Sequence, residues 1–150
     1  QHQNQSIISG DGLKTVLTQF KDVAGNSSSN ASDTIILDTT APTINSHSNI
    51  TAEATSALGT SVSYTSPATT DAVDGPGIAT CSPSSGSTFG IITTTVTCNA
   101  TDAAGNHATP VTFTITVTDT TAPVIASHSN ISAEATSALG TSVSYTSPAT

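Results

Sequence analysis

The stretch "VTFTITVT" (Val111–Thr118) alternates apolar residues with threonine without exception. Successive side chains of an extended chain point to opposite faces, so this pattern makes a strand with one face packed and the other wet. Outward from it, "SVSYTS" (61–66) and "TTTVTC" (93–98) keep the same rhythm, with Val62 and Tyr64, and Val96 and Cys98, facing inward. No window carries helical periodicity. Between these runs lie "TTDAVDGPG" (69–77) and "TDAAGN" (101–106), which supply the Gly, Pro, Asp and Asn that turns require. Short strands at this spacing predict an all-β fold, a two-sheet sandwich of immunoglobulin-like topology. The expected strands are A at 44–55, B at 61–67, C at 78–83, a short one near 86–90, F at 93–100 and G at 111–118.

Larger organisation comes from a repeat. "ATSALGTSVSYTSPAT" occupies 54–69 and returns unchanged at 135–150, and the period of 81 residues also aligns "DTTAP" at 38–42 with "DTTAP" at 119–123. A fixed period of this length marks a tandem array of small β domains rather than a short solenoid repeat. The expected division is therefore residues 1–41 as the C-terminal part of one module, 42–122 as a complete module and 123–150 as the N-terminal part of the next. Residues 1–41 carry "KDVAGN" and "SDTIILDTTAP", which mirror "TDAAGN" and "VTFTITVTDTTAP" at the end of the complete module.

Composition narrows the function. Ser and Thr make up 53 of 150 residues, with no Met or Trp, so each module buries only a thin core. Lys14 and Lys21 are the only cations, against ten carboxylates. Nucleic acid and anionic membrane surfaces both need basic patches, which argues against either partner, and no run is long and apolar enough to insert in a membrane. Cys81 and Cys98 form no CxxC and have no paired His motif. The spacing favours a disulfide over free thiols, and with it an oxidising, extracellular setting. On the expected strands the bridge joins C to F within one sheet. Six N-x-S/T sequons, at Asn4, Asn26, Asn30, Asn49, Asn99 and Asn130, are glycosylation candidates.

The stretch from "TAEATSALGTSVSYTSPAT" through "TCSP", "TTTVTC" and "TDAAGN" to "VTFTITVTDTTAP" resembles the hyalin repeat (HYR) family of immunoglobulin-like modules. The resemblance covers 42–122 and the partial copy at 123–150. One departure is "STFGII" (87–92), where the family usually has a Phe-Pro-x-Gly turn. Residues 10–40 look like the related immunoglobulin-like modules of prokaryotic surface proteins. The resemblance implies adhesion or structural extension outside the cell, and no catalysis.

In immunoglobulin-like topology the B–C and F–G loops gather where the chain enters the module. That places Asp71 and Asp74 (B–C), Asp102 and Asn106 (F–G) and the linker residue Asp38 in one neighbourhood. Two readings follow. Calcium takes six to eight oxygen ligands and suits such a cluster, whereas the same Asp residues also serve as ordinary turn caps. The histidines lack paired spacing, and His47 and His128 read as exposed strand or loop residues. The sequence holds no nucleophile elbow, zinc helix motif or phosphate-binding loop, so no enzyme is expected. The expected role is a cell-surface stalk, fibre or filament whose partners are adjacent modules or further copies of itself, with glycans attached. The alternative is a carbohydrate- or protein-binding accessory module, for which Phe89 is the candidate aromatic platform.

Overall fold

The computed structural model describes residues 9–148. Every regular element among them is a β-strand. A hairpin comes first, β1 (Gly12–Thr18) paired antiparallel with β2 (Ala31–Leu37). The sandwich, residues 43–118, follows. Its main sheet has β4 (Ile50–Glu53) parallel to β11 (Val111–Thr118), then β10 (Thr93–Asn99), then β8 (Thr80–Ser82). Facing residues come from β3 (Thr43–Ile44), β6 (Ala68–Thr70) and β7 (Pro76–Ile78) in a second sheet, and from the pair β5 (Thr60–Ser61) and β9 (Thr88–Phe89). The result is the expected immunoglobulin-like sandwich.

The alternation read from "VTFTITVT" sets the core. Phe113, Ile115 and Val117 are buried on β11, with Val96 and Cys98 opposite on β10, while the intervening threonines face outward or stay half-buried. Val62 and Phe89 close the core from the other side. Cys81 and Cys98 sit directly opposite each other on β8 and β10 and form a disulfide, with Cα atoms 4.0 Å apart.

Three expected strands take a different form. Strand A splits, because β3 pairs in the second sheet and β4 in the main sheet, with 45–49 crossing between them. Asn49 covers the crossing, its Oδ1 accepting the Thr114 N–H at 2.9 Å just before the β4 ladder begins. Strand C splits in the same way at buried Ala79, with β7 in one sheet and β8 in the other. The expected B strand is a ladder only at its ends. Val62 exchanges backbone bonds with Ser87 and Gly86, and Ser85 Oγ accepts the Tyr64 N–H and donates to the Tyr64 carbonyl, replacing a partner strand. Val62 and Tyr64 still face inward. His47 and Tyr64 flank Phe113, with ring centroids 4.1 and 5.1 Å from it, so His47 is half-buried in an aromatic stack rather than exposed.

Residues 119–148 form a separate unit without a ladder strand. It contains the Ser137–Gly140 turn and an edge-on contact of His128 with Tyr145, ring centroids 6.3 Å apart.

Candidate metal centre at the module junction

The linker Asp38–Pro42 passes from the hairpin into the module and is held from both sides. From the hairpin side, Asp11 Oδ1 accepts the backbone N–H and the hydroxyl of Thr39, both at 2.8 Å, and Asp11 Oδ2 accepts the Thr40 hydroxyl. These bonds hold the Asp11 carboxyl below the usual carboxylate range, the Thr40 hydroxyl contributing most. Gly10 and Gly12 flank Asp11 with φ of 96° and 98°, a conformation that turns the chain and aims Asp11 back at the linker. From the module side, Asn106 Nδ2 donates to the Asp38 carbonyl at 3.4 Å.

Each acidic loop is built by its own aspartate. Asp71 Oδ1 accepts the N–H groups of Val73 and Asp74, closing the β6–β7 turn. Asp102 Oδ1 accepts the Asn106 N–H at 2.7 Å and Oδ2 accepts Asn106 Nδ2 at 2.8 Å, closing the β10–β11 turn. The two loops are tied together by Asp74, whose Oδ2 accepts the Ala103 N–H at 2.6 Å. The expected neighbourhood is therefore formed, but its members divide. Asp38, Asp71 and Asp102 present carboxylate oxygens within 4.8 Å of one another. Asp74 fastens one loop to the other, and Asn106 orients Asp102 and holds the linker. Asp11 has no counterpart among the residues singled out from sequence, since only the "GDG" at 10–12 hints at a turn there.

The cluster carries an electrostatic imbalance. Asp38 Oδ2 and Asp71 Oδ2 are buried oxygens without a hydrogen-bond partner, the only two such side-chain atoms among the described residues. Burial raises the Asp38 pKa, and the charges of Asp102, Asp71 and Asp11 add to the rise. For Asp102 burial also acts upward, but the side-chain and backbone bonds from Asn106 outweigh it and leave the carboxyl lowered. The turn-cap reading holds for Asp71 and Asp102, whose oxygens accept turn N–H groups. One oxygen of Asp71 and one of Asp38 accept backbone N–H groups, and the other of each is buried without a hydrogen-bond partner. Three carboxylates without nitrogen or sulfur donors fit a hard cation such as calcium. A cleft of about 280 Å³ beside the cluster, lined by Pro42, Asp71, Asp74 and Asp102 among others, leaves room for water ligands.

Elsewhere, Asn26, Asn30, Asn49, Asn99 and Asn130 are exposed, as attachment of a glycan requires, and Asn4 lies outside the described residues. Phe89 is only 2 % exposed, so it cannot serve as a binding platform.

Comparison with known proteins agrees with this architecture. The HYR domain model matches residues 37–117, a span that contains all three clustered carboxylates and the disulfide. "Hyalin" of Strongylocentrotus purpuratus is 33% identical over 147 residues, an alignment covering 91% of this chain and 12% of that protein. The 150 residues thus correspond to a small part of a much longer relative. With its immunoglobulin-like sandwich and the family match across more than half its length, this chain belongs to the HYR domain family.

Proposed function

We propose that the chain is a structural segment of an extracellular adhesive protein, in which successive modules form a stalk or filament and a calcium ion stiffens the joint between them. The role is mechanical, with no catalytic step. One observation carries the reading: two buried carboxylate oxygens without partners meet a third carboxylate at the point where linker and module join. Asp38, Asp71 and Asp102 would hold the ion, and water would complete its shell. The ion supplies positive charge that neither lysine brings to this cluster. The disulfide supports an oxidising environment, and membership of a family that includes a protein named "Hyalin" supports an adhesive one.

The test is thermal unfolding of the 150-residue chain across a calcium series. Sites in extracellular modules bind calcium with Kd on the order of 10⁻⁴–10⁻³ M. At about ten times Kd, linkage adds roughly 1.4 kcal/mol, which corresponds to a Tm gain of roughly 5–10 °C for a module of this size. Asp71→Asn and Asp102→Asn should each abolish most of that gain. An unchanged Tm up to about 10 mM calcium, well above the Kd range of such sites, would remove the ion from the account.

A further inference from the structure

The two turns that carry Asp71 and Asp102 belong to different sheets. Asp71 opens the β6–β7 turn of the second sheet, and Asp102 opens the β10–β11 turn of the main sheet. Ladder hydrogen bonds run within a sheet, so they do not set the distance between these turns. Calcium takes its oxygens at about 2.3–2.6 Å, and carboxylates on two such turns can share one ion only when the turns keep a set spacing.

Asp74 supplies a tie of that kind. Its N–H donates to Asp71 Oδ1 at 3.0 Å, beside the Val73 N–H at 2.8 Å, and together they fix one oxygen of the Asp71 carboxylate. The Asp74 Oδ2 in turn accepts the Ala103 N–H at 2.6 Å, and Ala103 directly follows Asp102. Each turn is also closed by its own backbone, the Asp71 N–H donating to the Gly75 carbonyl at 3.0 Å and the Asp102 N–H to the Asn106 carbonyl at 3.2 Å. The Asp74–Ala103 bond therefore joins two parts that are each already closed, and such a bond fixes their spacing.

Asp74 itself stands outside the cluster. The carboxylate oxygens within 4.8 Å of one another come from Asp38, Asp71 and Asp102, and the two buried oxygens without partners come from Asp38 and Asp71. Asp74 is exposed, with one oxygen taken by the Ala103 N–H. It is placed to act on the site through the backbone of both turns, as hydrogen bonds around metal ligands commonly do.

We propose that Asp74 is a positioning residue for calcium: by tying the Asp71 turn to the Asp102 turn, it sets the affinity for the ion without touching the ion. The proposal rests on the calcium reading of the cluster. Oxygens that are already spaced need less ordering when the ion binds, so loss of the tie weakens binding while the ligands remain.

Asp74→Ala and Asp74→Asn in the 150-residue chain test it, by calcium titration followed at the amide NMR signals of residues 71–75 and 102–106. Both variants remove the same charge, and only Asn keeps an oxygen to accept the Ala103 N–H, so the difference between them reads the hydrogen bond. The calcium Kd should rise about tenfold or more in Asp74→Ala. In Asp74→Asn it should rise no more than about threefold, since a neutral acceptor keeps roughly half the strength of a charged one. In chelator, the Ala103 amide should exchange with solvent faster in Asp74→Ala than in the unsubstituted chain or in Asp74→Asn. Equal losses of affinity in the two variants would make Asp74 a charge or a ligand and overturn the proposal. An unchanged Kd or an equally protected Ala103 amide in Asp74→Ala would overturn it as well. In each of these cases calcium binding by the unsubstituted chain leaves the reading of the cluster standing, whereas no binding by that chain would overturn the reading and the proposal together.

Discussion

Asp38 shows how one carboxylate serves two masters of opposite sign. Without a cation its raised pKa means that the folded state holds the proton more tightly than the unfolded chain does. Its contribution to stability therefore falls as pH rises from the ordinary carboxylate range through the raised value. Asp11 and Asp102, both lowered, contribute stability above the ordinary range and lose it as pH falls through their lowered values. Asp38→Asn keeps the acceptor for the Thr40 N–H and removes the charge. Its expected effect at pH 7 is an equal or higher Tm in chelator and no gain from calcium, read by thermal unfolding in both conditions. A variant less stable in chelator that still responds to calcium would contradict this assignment. Gly59 is a second residue with a sharp requirement. Its φ is 102°, and an added Cβ would lie 1.8 Å from the Phe89 carbonyl oxygen. Gly59→Ala should cost roughly 2–4 kcal/mol in denaturant unfolding. Gly140, the same turn residue with nothing within 4 Å, should leave the module's stability unchanged when replaced by Ala.

At the scale of elements, identical sequence gives different structure. Ser56–Gly59 and Ser137–Gly140 make the same turn, each Ser Oγ donating to the Gly carbonyl at 3.2 Å. The flanking residues become strands only in the module, because a ladder needs a partner and a turn does not. The same contrast explains what could be read in advance. The G and F strands were legible at nearly full length from alternation, and the pairing of Cys81 with Cys98 followed from their places on neighbouring strands. Strands A and C were not legible as two pieces each, since crossing from one sheet to another leaves alternation intact while changing the partner. Strand B failed as a ladder because the Ser85 side chain, distant in sequence, took the partner's place. Of the junction, Asp38, Asp71 and Asp102 could be found from loop topology, whereas the grip of Asp11 depends on contacts 28 and 29 residues away. The disulfide offers its own check. It closes a separation of 17 residues between two buried positions. Replacing both cysteines with Ser should cost about 3 kcal/mol, and a reductant should produce a comparable loss in the unsubstituted chain. Equal stability of oxidised and reduced protein would deny the bridge a structural role.

In the whole molecule, the linker joint is where hairpin and sandwich meet. The linker donates hydrogen bonds to Asp11 and accepts one from Asn106, so it is held from two sides, and three carboxylates converge beside it. Regularity in a long array depends on each joint holding one geometry, so a loose joint would give a flexible string of modules and a closed one a rod. The measurement that bears most directly on this is backbone ¹⁵N relaxation of the 150-residue chain, comparing amides of Gly12–Leu37 with those of Val111–Thr118, in calcium and in chelator, at a concentration where the chain is monomeric. With calcium, the two sets should report one correlation time and order parameters near 0.85, the value of rigid backbone. In chelator, the hairpin amides should separate from the module, with lower order parameters and a shorter effective correlation time. Identical relaxation in both conditions would contradict a calcium-closed joint.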